Sequence, residues 1–374
     1  MPILSAASRI ESIEVVTLAV TPKGNWTFVR LHARDGSTGL GEATHAMGFT
    51  RASAEDDARI AEALRALFRH AQGRAPDDVA GFRAAAAEDL RDGGLLVRTA
   101  FSALEQAMWD LRGKQLGVPV HTLLGERLKD AVPCYANINR AVVDRSPESF
   151  AKHARLAVAE GFRGLKAAVF DDYPATPAEV GIARLQAMRE AVGPGVDLMV
   201  DCHNRFDPPT AVDVARQLEP LQLSWYEEPV DPADAAATAA IRRAIPQRLA
   251  AGEMHFEVKG FQPLLDAQAV DVIMPDVKHC GGLAEGLRIA HEAERRGVEV
   301  SPHNPSGPVS MLASAHLAAV LPNCVRLEHA WGEVDWRADL LDPPEQFRDG
   351  ALLLSDRPGL GHELNPETVA RYRT

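Results

Sequence analysis

Between residues 196 and 253 the chain contains three short apolar runs that each carry an acid at or near the end: VDLMVD (196–201), LSWYEEP (223–229) and LAAGE (249–253). The acids Asp201, Glu227 and Glu253 follow one another at intervals of 26 residues (227 − 201 = 26; 253 − 227 = 26). One βα unit of a parallel barrel needs about this length, and side chains at the carboxyl ends of its strands meet at one mouth. The stretch therefore predicts a barrel with three carboxylates gathered at its mouth.

The same alternation of short apolar runs and helical segments extends on both sides of this stretch. Since eight such runs suit a closed barrel of parallel strands, we expect an α/β barrel over residues 129–340. The eight runs are VPCYAN, GLKAAV, VDLMVD, LSWYEE, LAAGE, DVIMPD, VEVSPH and VRLEHA.

The residues before the barrel have a different pattern. The first 50 residues indicate strands, namely IESIEVVTLAV, NWTFVRLHARDG and STGLGEAT, and residues 52–124 turn helical. The block SALEQAMWDLRGKQLG (102–117) places apolar residues at i, i+3, i+4 and i+7 and is followed by a glycine stop signal. We expect an α+β capping domain over residues 1–128, with the Pro- and Gly-rich tail 341–374 packing back against it.

Composition narrows the functional classes. The 374 residues allow two domains, and 40 Lys+Arg against 52 Asp+Glu give a net charge of −12. Such a charge disfavours nucleic acid and anionic membranes as partners. The longest apolar stretches fall short of the roughly 20 residues that cross a bilayer, and MPILSAASRIESIEV lacks the features of a signal peptide. We expect a cytoplasmic enzyme.

The acid trio and a nearby histidine indicate metal-assisted proton abstraction. Three carboxylates without a cysteine form a hard oxygen site that favours Mg²⁺, with Mn²⁺ as a substitute. His303 ends VEVSPH 27 residues after Asp276 ends DVIMPD, which predicts neighbouring strand ends (303 − 276 = 27). A carboxylate bonded to one imidazole nitrogen raises the basicity of the other, as a general base requires. The alternative is a histidine held against a loop carbonyl.

Three further residues are predicted at the mouth, each with an open alternative. His203, two residues after Asp201, is either an acid beside the metal or a metal ligand or its support. Lys166 in GLKAAV either offsets the charge of the metal site and substrate or forms an ion pair with one metal carboxylate. Glu328 in VRLEHA either hydrogen-bonds the substrate carboxylate or has a structural role.

Taken together, the motifs resemble the enolase superfamily and its mandelate racemase subgroup. The resemblance covers nearly the whole chain: SALEQAMWDLRGKQLGVPVHTLLG, the Lys166 strand, the Asp201 strand, WYEEP, AAGE, PDVKHCGG and SPHNPSGP. It implies a modified TIM barrel of (β/α)7β type, a Mg²⁺ ion on the acid trio, and a homo-oligomer, either a dimer or an octamer. His303 and Asp276 match the subgroup's His–Asp pair.

Within the subgroup the chain is most similar to acid-sugar dehydratases of the D-galactonate dehydratase type, to which DCHNRF and SPHNPSGP point. The resemblance implies that His303 takes the proton α to the carboxylate and that His203 protonates the leaving β-hydroxyl. Ala168 stands where racemases of the subgroup carry a second lysine, which counts against racemisation. The expected activity is a hydro-lyase reaction on an aldonate or aldarate, giving a 2-keto-3-deoxy acid.

Two other functions remain open at this point. One is racemisation or epimerisation of an α-hydroxy acid with Lys166 as the second base, and the other is metal binding without turnover. The expected substrate is a small-molecule carboxylate. Capping loops at residues 21–26 and 44–49 are expected to close over the barrel and to contact it. The candidate substrate-binding residues are Trp26, His45, Asn304, Tyr173 and Trp331, with Met47 and Phe49 either lining the pocket or packing the cap.

Overall fold

The structure is a computed structural model that describes residues 8–21, 24–48 and 53–374. Phe49, one of the loop residues proposed above, lies outside these ranges. The first domain consists of β1 (Ile10–Thr21), β2 (Gly24–Ala33), β3 (Thr38–Glu42), α1 (Ala54–Ala71), α2 (Val79–Ala85), α3 (Ala87–Asp92), α4 (Gly94–Leu116) and α5 (Val120–Leu124).

The barrel and the tail follow. They comprise β4 (Ala131–Asn137), α6 (Pro147–Ala159), β5 (Gly164–Ala167), α7 (Ala178–Val192), β6 (Asp197–Asp201), α8 (Pro208–Leu218), β7 (Trp225–Glu227), α9 (Ala235–Ala244), β8 (Leu249–Ala251), α10 (Glu257–Asp266), β9 (Val272–Ile273), α11 (Gly282–Glu294), β10 (Glu299–Val300), α12 (Pro308–Ala318), β11 (Leu327–Ala330), β12 (Leu341–Asp342), β13 (Phe347–Arg348), β14 (Ala351–Leu353), β15 (Glu363–Leu364) and α13 (Pro366–Tyr372). Short 3₁₀ turns lie at Glu219–Leu221 and Arg337–Asp339.

The cap is an antiparallel three-stranded meander that packs on α4. β1 pairs with β2 and β2 pairs with β3. Gly41 in β3 allows close packing, because a Cβ at this position would overlap the carbonyl group of Ala103 in α4. The helix ends at Gly117, which adopts the left-handed conformation (φ 70°) that glycine accepts without strain. The predicted strands and the predicted stop of this helix are therefore confirmed.

The second domain is a parallel barrel, and each of the eight predicted apolar runs contains one of its strands. Strands β4 to β10 pair in chain order, and β11 pairs in parallel with β4. A bridge between Val300 and Cys324 joins β10 to the chain just before β11. Seven helices, α6 to α12, connect the strands, so the predicted (β/α)7β class is confirmed.

Two buried acids of the cap accept hydrogen bonds from the N-termini of barrel helices. Glu105 in α4 accepts from the backbone N–H groups of Leu283 (2.7 Å) and Ala284 (2.9 Å) at the start of α11. Glu42 in β3 likewise accepts from Gly307 and Ser310 at the start of α12, both at 2.8 Å. The positive end of a helix dipole favours a carboxylate, so these contacts fix the cap over the barrel mouth.

The tail contacts both domains. Its end packs on the cap as predicted, where Arg373 bridges to Leu18 and the N–H of Thr374 donates to the Thr17 carbonyl. Residues 347–353 instead form a hairpin whose strand β14 pairs antiparallel with barrel strand β4. The tail thus ties the first barrel strand to the cap. Among the described residues, no helix is both long and apolar enough to cross a membrane.

Candidate active site

Three barrel strands bring the predicted acid trio together. Asp201 ends β6, Glu227 ends β7, and Glu253 lies two residues beyond β8, after Gly252 (φ 112°). One carboxylate oxygen from each residue lies within 4.8 Å of the others, and all three side chains are buried. The spacing argument therefore located three side chains that converge at one point.

Lys166 on β5 lies beneath this cluster and is wholly buried. Its Nζ is 2.6 Å from Glu227 Oε1, 3.1 Å from Glu328 Oε1 and 3.5 Å from Asp201 Oδ2. Burial alone would lower the pKa of Lys166, but the charges of Glu227 and Glu328 hold it well above its usual value. Lys166 is therefore a fixed ammonium that offsets part of the negative charge. It forms an ion pair with Glu227 of the acid trio, which agrees with one of its two sequence interpretations.

The remaining negative charge fits a divalent cation. Burial, followed by the charge of Asp201, raises the pKa of Glu227 well above its usual value, and burial also raises the pKa of Glu253. Among the described residues no group hydrogen-bonds to Glu253 Oε2, although His303 Nε2 lies 3.1 Å away. Buried carboxylates need a compensating charge, and an all-oxygen set of this kind matches the ligands of Mg²⁺ or Mn²⁺.

His303 and Asp276 form the predicted pair. His303 Nδ1 lies 2.9 Å from Asp276 Oδ2, and both side chains are buried. Burial opposes the ionisation of each group, but the charge of Lys278 holds the pKa of Asp276 below its usual range, and the charge of Glu253 raises the pKa of His303. Of the two interpretations of His303, the structure shows the carboxylate partner.

Sequence reasoning had assigned no role to Lys278. Its Nζ lies 2.8 and 2.6 Å from the two carboxylate oxygens of Asp276, and its side chain is wholly buried. Its backbone N–H also donates to Asp276 Oδ1 at 2.8 Å. Asp276 is therefore held by three hydrogen bonds from Lys278 besides its contact with His303, and these oppose its rotation away from the imidazole.

A second His–Asp pair lies on the other side of the acid cluster, and its aspartate was missed. His203 Nδ1 is 2.6 Å from Asp171 Oδ1 in the loop after β5. His203 has a left-handed backbone (φ 46°), its N–H donates to Asp201 Oδ1 at 3.0 Å, and its Nε2 lies 3.1 Å from Asp201 Oδ2. Burial would lower the pKa of His203, but the charges of Asp201 and Asp171 raise it well above its usual value.

Glu328 on β11 completes the floor of the site and is wholly buried. Asn137 Nδ2 donates to its Oε1 at 2.5 Å, and the N–H of Asn304 donates to its Oε2 at 3.0 Å. Burial opposes its ionisation, but the charges of Lys166 and His303 lower the pKa of Glu328. Glu328 is therefore an ionised partner of Lys166.

A cavity of about 520 Å³ opens above these residues. Its lining includes Asp201, His203, Glu253 and His303, together with residues that the sequence did not single out: Asn137, Asn139, Arg140, Asp171, Asn204, Arg205, Glu228, Met254 and Pro305. Burial raises the pKa of Glu228, which follows Glu227 of the acid trio, to about 8. A larger cleft of about 740 Å³ between cap helices and the segment after β8 shares only Met254 with this cavity and contains His255 but, among the described residues, none of the acid trio.

The cavity lining, over the described ranges, includes none of the five side chains predicted to bind substrate. Trp26 is 1% exposed and packs against Phe28 and Trp336 at the cap–barrel junction, with ring centroids 6.4 and 5.2 Å away. Tyr173 instead packs against Phe206, with ring centroids 5.0 Å apart. Both aromatic side chains therefore serve packing.

The other three also have partners elsewhere. Trp331 Nε1 donates to Glu160 Oε2 at 2.7 Å. The side chain of Asn304 accepts from Ser310 Oγ at 2.6 Å and is wholly buried, so only its backbone serves the site. His45 instead contacts the lining residue Arg140, whose Nη2 lies 2.8 Å from His45 Nε2.

The chain is similar to known proteins in both of its domains. Residues 6–125 match the N-terminal domain of mandelate racemase and muconate lactonizing enzyme, and residues 149–368 match the enolase C-terminal domain-like model. The chain is 32% identical over 358 residues to a D-gluconate dehydratase of Thermoproteus tenax, covering 92% of this chain and 69% of that protein. It is 31% identical over 371 residues to a D-galactonate dehydratase of Xanthomonas euvesicatoria, covering 92% and 90%.

One solved structure is similar to the chain over nearly its whole length. A mandelate racemase/muconate lactonizing enzyme-like protein from Rubrobacter xylanophilus superimposes with a TM-score of 0.88 at 34% identity, covering 98% of both chains. The likeness thus extends over the cap and the barrel together.

Proposed function

The chain belongs to the mandelate racemase/muconate lactonizing enzyme family, and we propose that it is a Mg²⁺-dependent dehydratase of a sugar acid. The observation that carries the proposal is the arrangement of the cavity, where a metal-type acid trio lies between two histidine–aspartate pairs. Relatives of about 30% identity that are named gluconate and galactonate dehydratases support the same reaction class, a hydro-lyase.

Asp201, Glu227 and Glu253 are the residues that would hold the metal. A divalent cation bound there supplies positive charge to the substrate carboxylate and offsets the negative charge that develops when the α-proton leaves. The protein contributes by holding these three carboxylate groups rigid in a buried site. Lys166 and Glu328, as an ion pair below them, set the local charge without occupying a ligand position.

His303 is the proposed base. Its Nδ1–H donates to Asp276, and Asp276 is fixed by Lys278, so the ring can turn only slightly. Its Nε2 then faces the acid trio and the cavity and takes the proton from the α-carbon of the substrate. The electron pair of that carbon–hydrogen bond forms a double bond between the α-carbon and the carboxyl carbon. When the β-hydroxyl leaves, the double bond moves to the α- and β-carbons.

His203 is the proposed acid for the second half of the reaction. Its Nδ1–H donates to Asp171, and its Nε2, which lies 3.1 Å from Asp201 Oδ2 in the structure, carries the proton that would pass to the β-hydroxyl as the carbon–oxygen bond breaks. The group leaves as water, and the resulting enol tautomerises to the 2-keto-3-deoxy acid. Both proton-transfer steps thus use residues that line one cavity.

Racemisation or epimerisation is the second candidate, because two imidazoles on one cavity also allow proton removal on one face and return on the other. Lys166, the second base considered from sequence, is bonded to two carboxylates and is held as an ammonium, which is the wrong form for a base. The experiment below separates the two reactions.

The test is incubation with Mg²⁺ and a library of aldonic and aldaric acids in D₂O, followed by proton NMR. Keto acid from one or a few acids is the expected result. Deuterium at the α-carbon without keto acid would replace the proposal with racemisation or epimerisation. Mg²⁺ binding without either product from any acid would indicate a non-catalytic metal-binding protein.

Two matched histidine variants test the assignment of the base. His303→Asn is expected to abolish both deuterium exchange and keto-acid formation while Mg²⁺ binding, followed by calorimetry, persists. His255→Asn changes a histidine that packs on Phe261 in the larger cleft, and its turnover is expected to match the wild type. Wild-type activity in His303→Asn would remove His303 from the mechanism.

A further inference from the structure

Arg140 lines the candidate cavity on the side away from the acid trio. It follows β4 by three residues, and its side chain is only 8% exposed. β4 is paired with β5 and β11, whereas the acid trio belongs to β6, β7 and β8. Arg140 is therefore beyond the strand ends, on the cap side of the cavity, and across the barrel from Glu227 and Glu253.

The cap fixes the guanidinium of Arg140 before any ligand arrives. Arg140 Nη2 lies 2.8 Å from His45 Nε2, and His45 Nδ1 lies 3.2 Å from Ser306 Oγ. Burial and then the charge of Arg140 hold the pKa of His45 well below its usual value, so the ring is neutral and accepts from Arg140. Glu333 Oε1, 3.8 Å from Arg140 Nε, offsets the buried charge. Such preorganisation lowers the cost of binding.

The charges around the cavity indicate which groups this guanidinium receives. The lining holds the acids Asp171, Asp201, Glu228 and Glu253, of which Asp201 and Glu253 belong to the proposed metal set, and the two guanidiniums of Arg140 and Arg205. Arg140 already has Glu333 as its counter-ion. A second substrate carboxylate beside Arg140 would add a negative charge that the guanidinium, already paired with Glu333, offsets only in part, whereas hydroxyl groups accept N–H bonds without adding charge.

We propose that Arg140, oriented by His45, is the specificity residue that binds the hydroxylated tail of the substrate, and that the chain prefers aldonates with a tail of two or more carbons beyond the β-carbon over aldarates. This inference rests on the proposed dehydratase function. Arg140 takes no part in either proton transfer. Its contribution is to binding, and it grows with the number of tail hydroxyls.

The test compares aldonates of four and six carbons, which share the reacting carbons and differ in the tail. In Arg140→Met, kcat/KM for the six-carbon acid is expected to fall about 10- to 100-fold, chiefly through KM, as for loss of a charged hydrogen bond. The four-carbon acid is expected to change by no more than about threefold. The wild type is expected to turn over the six-carbon aldonate in preference to the matching aldarate.

Two further variants keep the result interpretable. Arg140→Lys keeps a positive charge beside Glu333 and replaces Arg140→Met in the test if that variant fails to fold. It is expected to show the same length-dependent loss, because a lysine lacks the planar fork of a guanidinium. Arg205→Met removes a charge from the exposed rim of the same cavity and is expected to change both acids by one common factor. Equal losses on both acids in the Arg140 variants would overturn the inference.

Calorimetric binding of the same acids separates this inference from the proposed function. If the wild type binds the six-carbon acid more tightly and Arg140→Met removes the difference, the specificity role stands even if no keto acid forms. If the wild type dehydrates aldonates but binds four- and six-carbon acids alike, the dehydratase function stands and the role of Arg140 is overturned. Preference for the aldarate would overturn the stated substrate class.

Discussion

Asp171→Asn is the most informative single change at the candidate site. Asp171 accepts the Nδ1–H of His203 at 2.6 Å and has a second, longer contact of 3.8 Å with Arg145. An asparagine keeps the shape and removes the charge. The acid step is then expected to slow, while the base His303, which has its own aspartate, continues to remove the α-proton.

The magnitude follows from the kind of bond that is lost. A hydrogen bond to a charged group is worth about 1 kcal/mol more than one between neutral groups. The side chains of His203 and Asp171 are 33% and 35% exposed, so solvent screens the interaction between them, and we take no more than about 1 kcal/mol for the charge that is lost. A loss of about 1 kcal/mol in the transition state corresponds to a roughly fivefold lower rate of keto-acid formation.

The assay follows keto-acid formation and α-deuterium incorporation in the same D₂O sample. Asp171→Asn is expected to form keto acid about fivefold more slowly with exchange changed by less than about twofold. The neighbouring Asp172 provides a matched control, because it pairs with Arg184 at 2.6 and 2.7 Å instead of with a histidine. Equal slowing of exchange and dehydration, or an equal effect in Asp172→Asn, would refute the assigned role of Asp171.

Three further predictions concern stability. Lys166→Met leaves the acid trio without its buried cation, so the free energy of unfolding without Mg²⁺ is expected to fall by about 3–5 kcal/mol and to be partly regained with Mg²⁺, as denaturant titration with and without the ion would show. His279 and His316 are buried with pKa values of about 3, below the ordinary 6.5, so the unfolded chain binds more protons than the folded chain between these pH values. The stability that they contribute is full above pH 6.5 and is lost as the pH falls from there towards 3. Denaturant unfolding at pH 5.5 is expected to give a free energy lower by about 1 kcal/mol per histidine than unfolding well above pH 6.5. Gly41→Ala would force a methyl group into the carbonyl of Ala103 and is expected to cost about 3 kcal/mol, with unchanged stability arguing against the close packing of β3 on α4.

The sequence predicted the barrel and the acid trio well because both follow from periodicity. Strand ends recur at the length of a βα unit, so the positions of Asp201, Glu227 and Glu253 follow from counting. The same logic located His303 and Asp276. A side chain at the carboxyl end of a barrel strand has few possible environments, because all of these strand ends meet at the one barrel mouth.

The residues that were missed lie in loops. Asp171 and Asp172 are adjacent in the sequence, and only the path of the loop after β5 decides that the first binds His203 and the second binds Arg184. The DD pair four residues after β5 was a usable signal that an acid lies near the mouth, without showing which one. Arg140 carried no comparable pattern.

The aromatic candidates do not line the cavity, for a related reason. The sequence positions of Trp26 and Tyr173 place them in segments near the barrel mouth. A large aromatic ring, however, is stabilised as much by packing as by contact with a ligand. Trp26 lies at the junction of the two domains against Trp336, where its burial joins cap and barrel. Position along the chain predicts proximity to the site, whereas the direction of the side chain depends on the tertiary packing.

In the proposed mechanism, proton transfer and substrate recognition are carried by different parts of this molecule. The proposed proton-transfer and metal residues lie at or just beyond barrel strand ends, where backbone pairing fixes them, and their partners Asp276 and Asp171 hold each imidazole in one orientation. Arg140 is fixed instead by His45, a residue of the cap, so its geometry depends on how the cap docks. A change in the cap can then alter which sugar acid binds without moving an atom that transfers a proton. For this reason a His45 variant is expected to change the tail preference, whereas only changes at the strand ends and their aspartates are expected to change the balance between exchange and dehydration.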